Sequence, residues 1–516
     1  MPNRSSDALF QLIKSLEKSE KRNFKLYITR NSSSLDLKSI QLFDAMDKMD
    51  EYDEVQLLNK NKNIRKAQLS NAKAHLYREI LSSLRLIRHE NNIDIQLHEQ
   101  LDYARILYNK GLYLQSLRTL DRIKESARQH HQETFLLEVL FFEKTIESLH
   151  ITRSMQDRAD QLADELDGVN DRLRLISQLS NLALQLYSWY IRHGVARNEK
   201  DEAAVQEFFE RNMPADLSQC NGFYEKLYLY QSFVWYAFIR QDFLMYYRYT
   251  QKWVDLFGKE PFMLAVETSQ YIKGMHNLLG AHFDLLNDQK FRETLKQFEE
   301  FSESDLVVNN VNNRIQTFVY LYISKLNQHF IDGTFTEGLT LVPYIEEKLS
   351  SYWIYLDRHR ILVFYYKIAC LYFGSGNYEK TIDYLNKIIN WKVDLRTDLQ
   401  CYSRLLHLIA HYELGNVDLL EYLTKSVYRF MAKMESLSLV EEEIFKFLRK
   451  AFLVPPDRLK PEFSKLLDKL KAYEKSRFET RAFMYLDVIS WLESKIEGVP
   501  VQDVIREKYL NGTRRG

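Results

Sequence analysis

The sequence predicts an all-α fold made of successive helix hairpins, and three observations support this prediction. The chain of 516 residues holds only eight prolines, none of them between Asn3 and Met213, and long proline-free stretches favour helix. No segment shows the two-residue alternation of a half-buried strand flanked by turn residues. Apolar residues recur instead at helical spacing in paired segments, most clearly between Tyr365 and Trp391.

The segment from Tyr365 to Trp391 shows the complete hairpin pattern. Its first predicted helix carries one apolar face, formed by Ile368, Ala369, Tyr372 and Phe373. The run Gly374–Asn377 interrupts this helix, because glycine tolerates the positive φ of a tight reversal. A second helical stripe follows in Tyr378, Thr381, Ile382, Leu385, Ile388 and Ile389. One hairpin cannot bury both of its apolar faces, so we expect neighbouring hairpins to cover them.

Similar turn residues recur from about residue 93 onward, just before each predicted second helix. These markers are Gly111, Gly194, Gln241, Gln289, Gly333, Gly376 and Gly415, with Arg153 as a weaker candidate. Successive markers, Arg153 included, are 39 to 48 residues apart by subtraction of residue numbers, a spacing that indicates an array of supersecondary units. We therefore expect an N-terminal helical region (1–92), helix-hairpin repeats (93–435) and a C-terminal helical capping region (436–516).

The N-terminal region contains four predicted helices and one strongly basic segment. The helices are expected at Asp7–Arg30, Asp36–Met49, Glu54–Leu58 and Ile64–His89. Between residues 61 and 88, Glu79 is the only acid beside seven basic residues, which are Lys62, Arg65, Lys66, Lys73, Arg78, Arg85 and Arg88. We interpret helix 64–89 as a solvated or partner-facing helix, and the alternative is a nucleic-acid contact through Arg78, Arg85 and Arg88.

Composition narrows the cellular setting. Lys and Arg together number 71, as do Asp and Glu, so no net charge directs the chain to nucleic acid or to an anionic membrane. No apolar run reaches the roughly 18 residues of a membrane span, and the N-terminal residues lead into a charged amphipathic segment. Cys220, Cys370 and Cys401 are too scattered for a disulfide framework. We expect a cytoplasmic protein without membrane contact.

Motifs for catalysis and for metal binding are weak. His407 and His411 have the i, i+4 spacing with which two imidazoles on a helix reach one metal ion. Residue 408 is Leu, however, so the general-base glutamate of a zinc-protease motif is missing. Partly buried or surface histidines are the favoured interpretation. The sequence therefore predicts a non-enzymatic protein with no catalytic residues, no cofactor and no metal.

Two segments resemble tetratricopeptide (TPR) repeats. The first carries Ala104, Leu107, Gly111, Tyr113, Ser116, Leu120 and Ile123; the second carries Ala369, Tyr372, Gly376, Tyr378, Thr381, Leu385 and Ile388. These positions match the small, large and Gly-x-Tyr pattern of that family. The spacing of the markers exceeds the roughly 34 residues of a TPR repeat. As a whole, the chain is similar to uncharacterised bacterial TPR-like proteins, whose partners are generally unassigned.

The resemblance implies an α-solenoid of antiparallel hairpins whose first helices line a concave groove. Transfer of groove positions gives Arg105, Tyr108, Asn109, Arg192, Tyr236, Arg240, Asn327 and Tyr366, together with His98, Leu101, Val363, Cys370 and Phe373. The arginines suit a carboxylate, so an acidic segment or chain terminus is the expected ligand. The alternative is that these arginines pair with neighbouring Glu or Asp.

We therefore expect a protein-binding scaffold or adaptor that recognises a peptide or helix of its partner in the groove. The second hypothesis is a regulator whose basic N-terminal helices contact nucleic acid while the solenoid senses a peptide or protein.

Overall fold

A computed structural model describes residues 7–30, 34–60, 66–88, 92–150, 157–391, 397–433, 438–451, 456–473, 476, 478–479 and 487–512. Helices dominate these residues and no strand occurs among them, which confirms the predicted all-α class. No helix in the described ranges has the length and apolar composition needed to cross a membrane. The chain divides into two compact units, Met1–Val169 and Asn170–Gly516. The three regions expected from the sequence stay a prediction.

Unit 1 begins with short helices that share one core. Its helices are α1 (Ala8–Ser15), α2 (Lys18–Arg30), α3 (Ser34–Asp47), α4 (Glu54–Lys60), α5 (Lys66–Arg88), α6 (Ile93–Asn109), α7 (Tyr113–Gln129), α8 (Glu133–Leu149) and the start of α9 (Arg158–His193). Helices α1 to α5 bury a common set of apolar side chains, among them Phe24, Phe43, Met46, Leu76 and Ile80. Helix α6 packs on α7, and α7 packs on α8.

The single helix predicted over Asp7–Arg30 is wrong, because the structure contains two helices there. Leu16 follows α1 with an extended backbone (ψ 137°), which ends the helical path. The carboxylate of Glu20 then accepts a hydrogen bond from the backbone N–H of Glu17 at 2.9 Å, a capping contact at the start of α2. The other three predicted N-terminal helices are confirmed as α3, α4 and α5, with shifted ends.

Unit 2 continues α9 and adds a long series of helices. They are α10 (Glu199–Asn212), α11 (Phe223–Ile239), α12 (Phe243–Lys259), α13 (Met263–Val266), α14 (Thr268–Asp284), α15 (Asp288–Ser302), α16 (Asp305–Val308), α17 (Val311–Asp332), α18 (Phe335–Gly338), α19 (Val342–Ser351), α20 (Arg358–Gly374), α21 (Tyr378–Ile389), α22 (Thr397–Glu413), α23 (Val417–Lys433), α24 (Leu439–Ala451), α25 (Pro456–Tyr473), α26 (Val488–Glu497) and α27 (Val501–Leu510). Many helices that follow one another along the chain pack together, and α14, α17 and α20 also contact in succession. This packing is consistent with a helical repeat.

The predicted turn markers are largely confirmed by left-handed backbone conformations. Positive φ angles occur at Gly111, Gly194, Gln241, Gly333, Gly376 and Gly415. The backbone reverses at each of these residues, and at five of them the next helix begins two residues later. Arg153, the weaker marker, lies outside the described residues.

The marker predicted at Gln289 is wrong, because Gln289 lies inside α15. The left-handed residue of this turn is Leu286, with φ 53°. Asn287 follows it and caps α15 through a hydrogen bond from the Lys290 backbone N–H to its side-chain oxygen at 3.3 Å. Leucine rarely adopts this conformation, so a search for turn-forming residue types passes over it.

The last two helices of unit 2 pack against earlier ones. On α26, the Trp491 indole Nε1 donates to a carboxylate oxygen of Glu413 at 2.6 Å. On α27, the Arg506 guanidinium donates to the Asp332 carbonyl oxygen at 3.0 Å. The backbone of α27 lies so close to Gly333 that a Cβ atom there would stand 2.5 Å from the Arg506 nitrogen. The turn at Gly333 is therefore part of the surface on which α27 packs.

We predict that Gly333→Ala destabilises unit 2 more than Gly376→Ala. Both glycines are left-handed, at φ 68° and φ 81°, so alanine costs about 1–2 kcal/mol of backbone strain at either position. A Cβ at Gly376 meets open space, whereas one at Gly333 collides with α27, which should add about 1 kcal/mol or more. Urea denaturation followed by circular dichroism measures the loss of unfolding free energy in both variants. Equal losses would contradict the close packing of α27 on Gly333.

Candidate functional site

A cavity of about 700 Å³ lies within unit 2. Five of the helices that precede a left-handed turn contribute side chains to its wall: α9, α11, α14, α17 and α20. Other lining residues are Tyr246 of α12, Phe335 of α18, Leu399 of α22 and residues of α26 and α27, including Ile489 and Ile505. One side of each of these successive helices thus faces the same space.

Aromatic rings form much of the wall. Tyr187 and Tyr190 of α9 lie against Trp235 of α11, with ring centroids 4.8 Å and 5.8 Å apart. Tyr190 also meets Phe238 edge-on at 5.1 Å. Further rings in the lining are Tyr246, Phe283, Tyr320, Phe330, Phe335, Tyr366 and Phe373. Such a wall offers apolar contact area together with tyrosine hydroxyl groups.

Lys273 of α14 reaches the cavity beside these rings. Its ammonium nitrogen stands 5.6 Å from the Tyr187 ring centroid and 5.8 Å from that of Trp235, within the range of cation–π attraction. Burial, and then repulsion by Arg360, lowers the pKa of Lys273. Among the described residues, no carboxylate lies within ion-pair distance of this ammonium group. The cation is therefore held by rings rather than by an acid.

Two more cations lie on α20. The Arg360 guanidinium pairs with Asp357 at 3.2 Å and lies 5.9 Å from the Tyr320 ring centroid. The Lys367 ammonium donates to the side-chain oxygen of Asn327 at 2.6 Å. The lining as a whole carries four Lys or Arg side chains, completed by Lys508, and three Asp side chains, which are Asp284, Asp357 and Asp487.

His276 reports the electrostatic environment inside the cavity. Its ring stacks on Tyr320 with centroids 4.1 Å apart. Burial, followed by the charges of Lys367, Arg360 and Lys273, lowers the pKa of His276 to about 3. Three cations thus act on one imidazole, which stays neutral near pH 7. The potential around His276 is positive, and this part of the cavity favours an anion.

Several of the predicted groove residues lie in the cavity wall. Asn327 and Tyr366 line it, as do Val363, Cys370 and Phe373 of α20. Burial, the largest influence, raises the pKa of the Cys370 thiol to about 12, so this cysteine remains protonated and unreactive near neutral pH. That these groove residues bind a ligand stays a prediction.

Other predicted groove residues of unit 2 lie outside the lining. Tyr236 is buried and stacks on Phe209 at 4.0 Å. Arg240 pairs with Glu202 at 2.6 Å and donates to the Tyr236 hydroxyl at 3.0 Å. Arg192 is exposed, and its Nε donates to a carbonyl oxygen of its own helix, that of Ser188, at 3.3 Å.

The remaining predicted groove residues belong to unit 1. Arg105 pairs with Glu138 at 2.6 Å, and the Tyr108 ring meets Phe142 edge-on at 5.6 Å. Asn109 is the last residue of α6 and is exposed. For Arg105 and Arg240, the structure thus contains the neighbouring ion pairs that the sequence left open as the alternative to ligand contact.

Some basic side chains of helix α5 form ion pairs and hydrogen bonds within the protein. Lys73 pairs with Asp7 and donates to the Tyr52 hydroxyl at 2.9 Å. Arg85 lies 3.4 Å from Asp102. Arg78 is exposed, and its Nε donates to the carbonyl oxygen of Ala74 at 3.4 Å. The side chain of Arg88, together with Lys62 and Arg65, lies outside the described residues.

His407 and His411 are both buried on α22, with ring centroids 4.5 Å apart. Burial is the largest cause that lowers the pKa of both, and it brings the pKa of His407 to about 4. His411 Nδ1 lies 3.0 Å from the side-chain nitrogen of Asn416. In the described ranges, no three His, Cys, Asp or Glu side chains are arranged to hold a metal ion.

Comparisons of the chain with protein-family models, with curated proteins and with solved structures gave no match. The site must therefore be judged on its own chemistry. Sequence reasoning missed Lys273 and Arg360, both of which line the cavity. A faint signal exists for Lys273, which is a single cation in the otherwise weakly polar stretch of α14 from Tyr271 to Leu279.

We predict that His276→Phe makes unit 2 less sensitive to acid. An unfolded histidine binds a proton below about pH 6.5, but folded His276 stays neutral down to its pKa of about 3. Protonation therefore favours the unfolded chain as the pH falls through this window, by about 2 kcal/mol at pH 5. Phenylalanine keeps the ring on Tyr320 and removes this loss.

The free energy of unfolding, measured by urea denaturation at pH 7 and pH 5, tests this expectation. The loss between the two pH values should be smaller in the variant than in the natural protein. The same loss in both proteins would show that His276 is not held neutral.

Proposed function

We propose that this chain is a non-enzymatic, TPR-like α-solenoid that acts as a cytoplasmic scaffold or adaptor. In this proposal, a peptide or helix segment of a partner protein binds on the face formed by α9, α11, α14, α17 and α20. The supporting observation is that these helices, each placed before a left-handed turn, share one cavity. In TPR-like arrays the first helix of each pair lines the groove, and repeat proteins use such surfaces to bind polypeptides.

The chemistry of the cavity wall suits a polypeptide ligand. Its rings give apolar contact area, and its amide side chains, such as Asn277, Gln316 and Asn327, are able to meet a peptide backbone. The positive potential around His276 favours an acidic segment over a basic one. Predicted residues Asn327 and Tyr366 keep their place in this proposal. Arg105 and Arg240 are weaker candidates for contact with the ligand, because they form ion pairs with Glu138 and Glu202.

The regulator hypothesis remains a second proposal with weaker support. Exposed Arg78 and Arg85 would carry the nucleic-acid contact, but Arg85 faces Asp102 and Lys73 pairs with Asp7. These pairs reduce the positive charge that α5 offers to phosphates. Salt-dependent binding of duplex DNA that is lost on combined Arg78→Ala and Arg85→Ala would favour the regulator over the scaffold.

Photocross-linking tests the scaffold proposal in the full-length protein. We would replace Tyr187, in the cavity wall, with p-benzoylphenylalanine, and make the same change at Tyr422 as a control. Tyr422 lies on α23 with 67% of its surface exposed, away from the cavity lining. Irradiation in the native cells should join a distinct polypeptide to position 187 and not to position 422.

Mass spectrometry should map the cross-linked peptide to one segment of one partner. Cross-links of the same kind and yield at both positions, or none at position 187, would contradict the proposal. The combined change Tyr190→Ala with Trp235→Ala should reduce the specific cross-link at least tenfold, because it removes neighbouring rings from the wall.

A further inference from the structure

We propose that the cavity also holds a small organic anion, a planar ring that bears a carboxylate or phosphate group, with the anionic group at Lys273 and the ring beside Trp235. This inference goes beyond the scaffold function, because it assigns a low-molecular-weight ligand to the cavity and requires no protein partner. It depends on the surroundings of one cation, on the rings around that cation and on the size of the space.

Lys273 has unused hydrogen-bonding capacity. An ammonium group has three N–H donors and no acceptor, and among the described residues none of these donors meets a protein acceptor. The rings of Tyr187 and Trp235 attract the charge without using those donors in conventional hydrogen bonds. An anion placed here would accept hydrogen bonds from these N–H groups. It would also supply the negative charge that no described residue places beside Lys273.

The neighbouring charges favour an anion at the same place. Arg360 is close enough to Lys273 to repel it, and Lys367 acts with both on His276. Asp357 offsets Arg360 at 3.2 Å, but it does not reach Lys273. An anion at Lys273 would therefore lie where several positive charges act together.

The same corner of the cavity suits a flat apolar group. Tyr190 and Trp235 are nearly parallel, with an angle of 22° between their planes, and Tyr187 completes the aromatic corner at 4.8 Å from Trp235. Aromatic groups gain from offset stacking and from edge-to-face contacts with such rings. A ring that is attached directly to the anionic group would use both features at once.

The volume agrees with a small ligand. Sites for small molecules commonly occupy roughly 300–1,000 Å³, and this cavity measures about 700 Å³. Side chains of six helices before the turns and of α26 and α27 line it, so a bound molecule would contact several helices at once.

Calorimetric titration of the full-length protein with four probes tests the proposal. The probes are naphthalene-1-carboxylate, 1-naphthyl phosphate, the neutral naphthalene-1-carboxamide and acetate. At least one ring-bearing anion should bind at least tenfold more tightly than the carboxamide, which lacks the charge, and than acetate, which lacks the ring. Equal binding of acid and amide, or no binding of either ring-bearing anion at millimolar concentration, would overturn the proposal.

Two lysine variants locate the anion. Lys273→Met keeps an unbranched side chain that is one atom shorter and removes its charge, and it should weaken binding of the ring-bearing anion at least tenfold. Lys252→Met is the matched control, because Lys252 also lies over tyrosine rings, 4.8 Å from Tyr249, but outside the cavity lining. Affinity that is unchanged in Lys273→Met, or lowered equally in both variants, would overturn the assignment.

A thermal-shift assay on the natural protein keeps the proposal testable if Lys273→Met does not fold. The ring-bearing anion should raise the melting temperature, and the carboxamide should leave it unchanged. A last arm separates a free acid from the end of a protein: the peptide Gly-Gly-Trp with a free carboxyl terminus. Binding of this peptide without binding of either naphthyl anion would overturn the small-ligand proposal and leave the scaffold function standing.

Discussion

The structure of unit 2 depends on helices that are buried on more than one side. These are the helices that precede the left-handed turns. Helix α17 illustrates it, because it contacts α14, α15, α18 and α20 and buries residues around most of its circumference, from Ile315 and Phe318 to Leu326 and Ile331. The helix that follows such a turn is different. Helix α15 buries a single stripe, which contains Phe291, Leu295 and Phe298. Helices before the turns are thus enclosed by neighbours, whereas helices after the turns cover them from one side. The part of each enclosed helix that no neighbouring helix covers borders the cavity.

The sequence revealed the glycine turns and the turn at Gln241, but it missed the turn at Leu286. Glycine at positions such as 333 and 376 relieves the strain of a positive φ, so these turns are visible without a structure. Leu286 adopts the same conformation without that advantage. Its turn is held in place by the Asn287 cap and by burial of Phe291, both of which depend on tertiary packing. The break at Leu16 escaped for a similar reason, since no glycine or proline marks it.

The site was less predictable than the fold, because a helix changes its facing by about 100° with each residue. Tyr236 and Trp235 are neighbours in the chain, yet the first packs into the core on Phe209 and the second borders the cavity. An alignment that is displaced by one position therefore selects the wrong side chain. Helix α20 includes the first part of the segment with the clearest repeat pattern, and the positions predicted there line the cavity, including Tyr366. A single lysine such as Lys273 carries no such pattern, since long cationic side chains commonly extend from apolar helices to water.

Among the described residues, no acid pairs with Lys273, and this distinguishes it from some other cations of the chain. Two other cations with little exposed surface pair with carboxylates: Lys124 with Glu143 at 2.5 Å and Arg240 with Glu202 at 2.6 Å. A carboxylate partner offsets the cost of burying a charge. Cation–π contacts recover only part of that cost, about 2 kcal/mol where the cation is desolvated. In the proposed ligand site, an anion would accept hydrogen bonds from Lys273 and would supply the negative charge that no described residue places beside it.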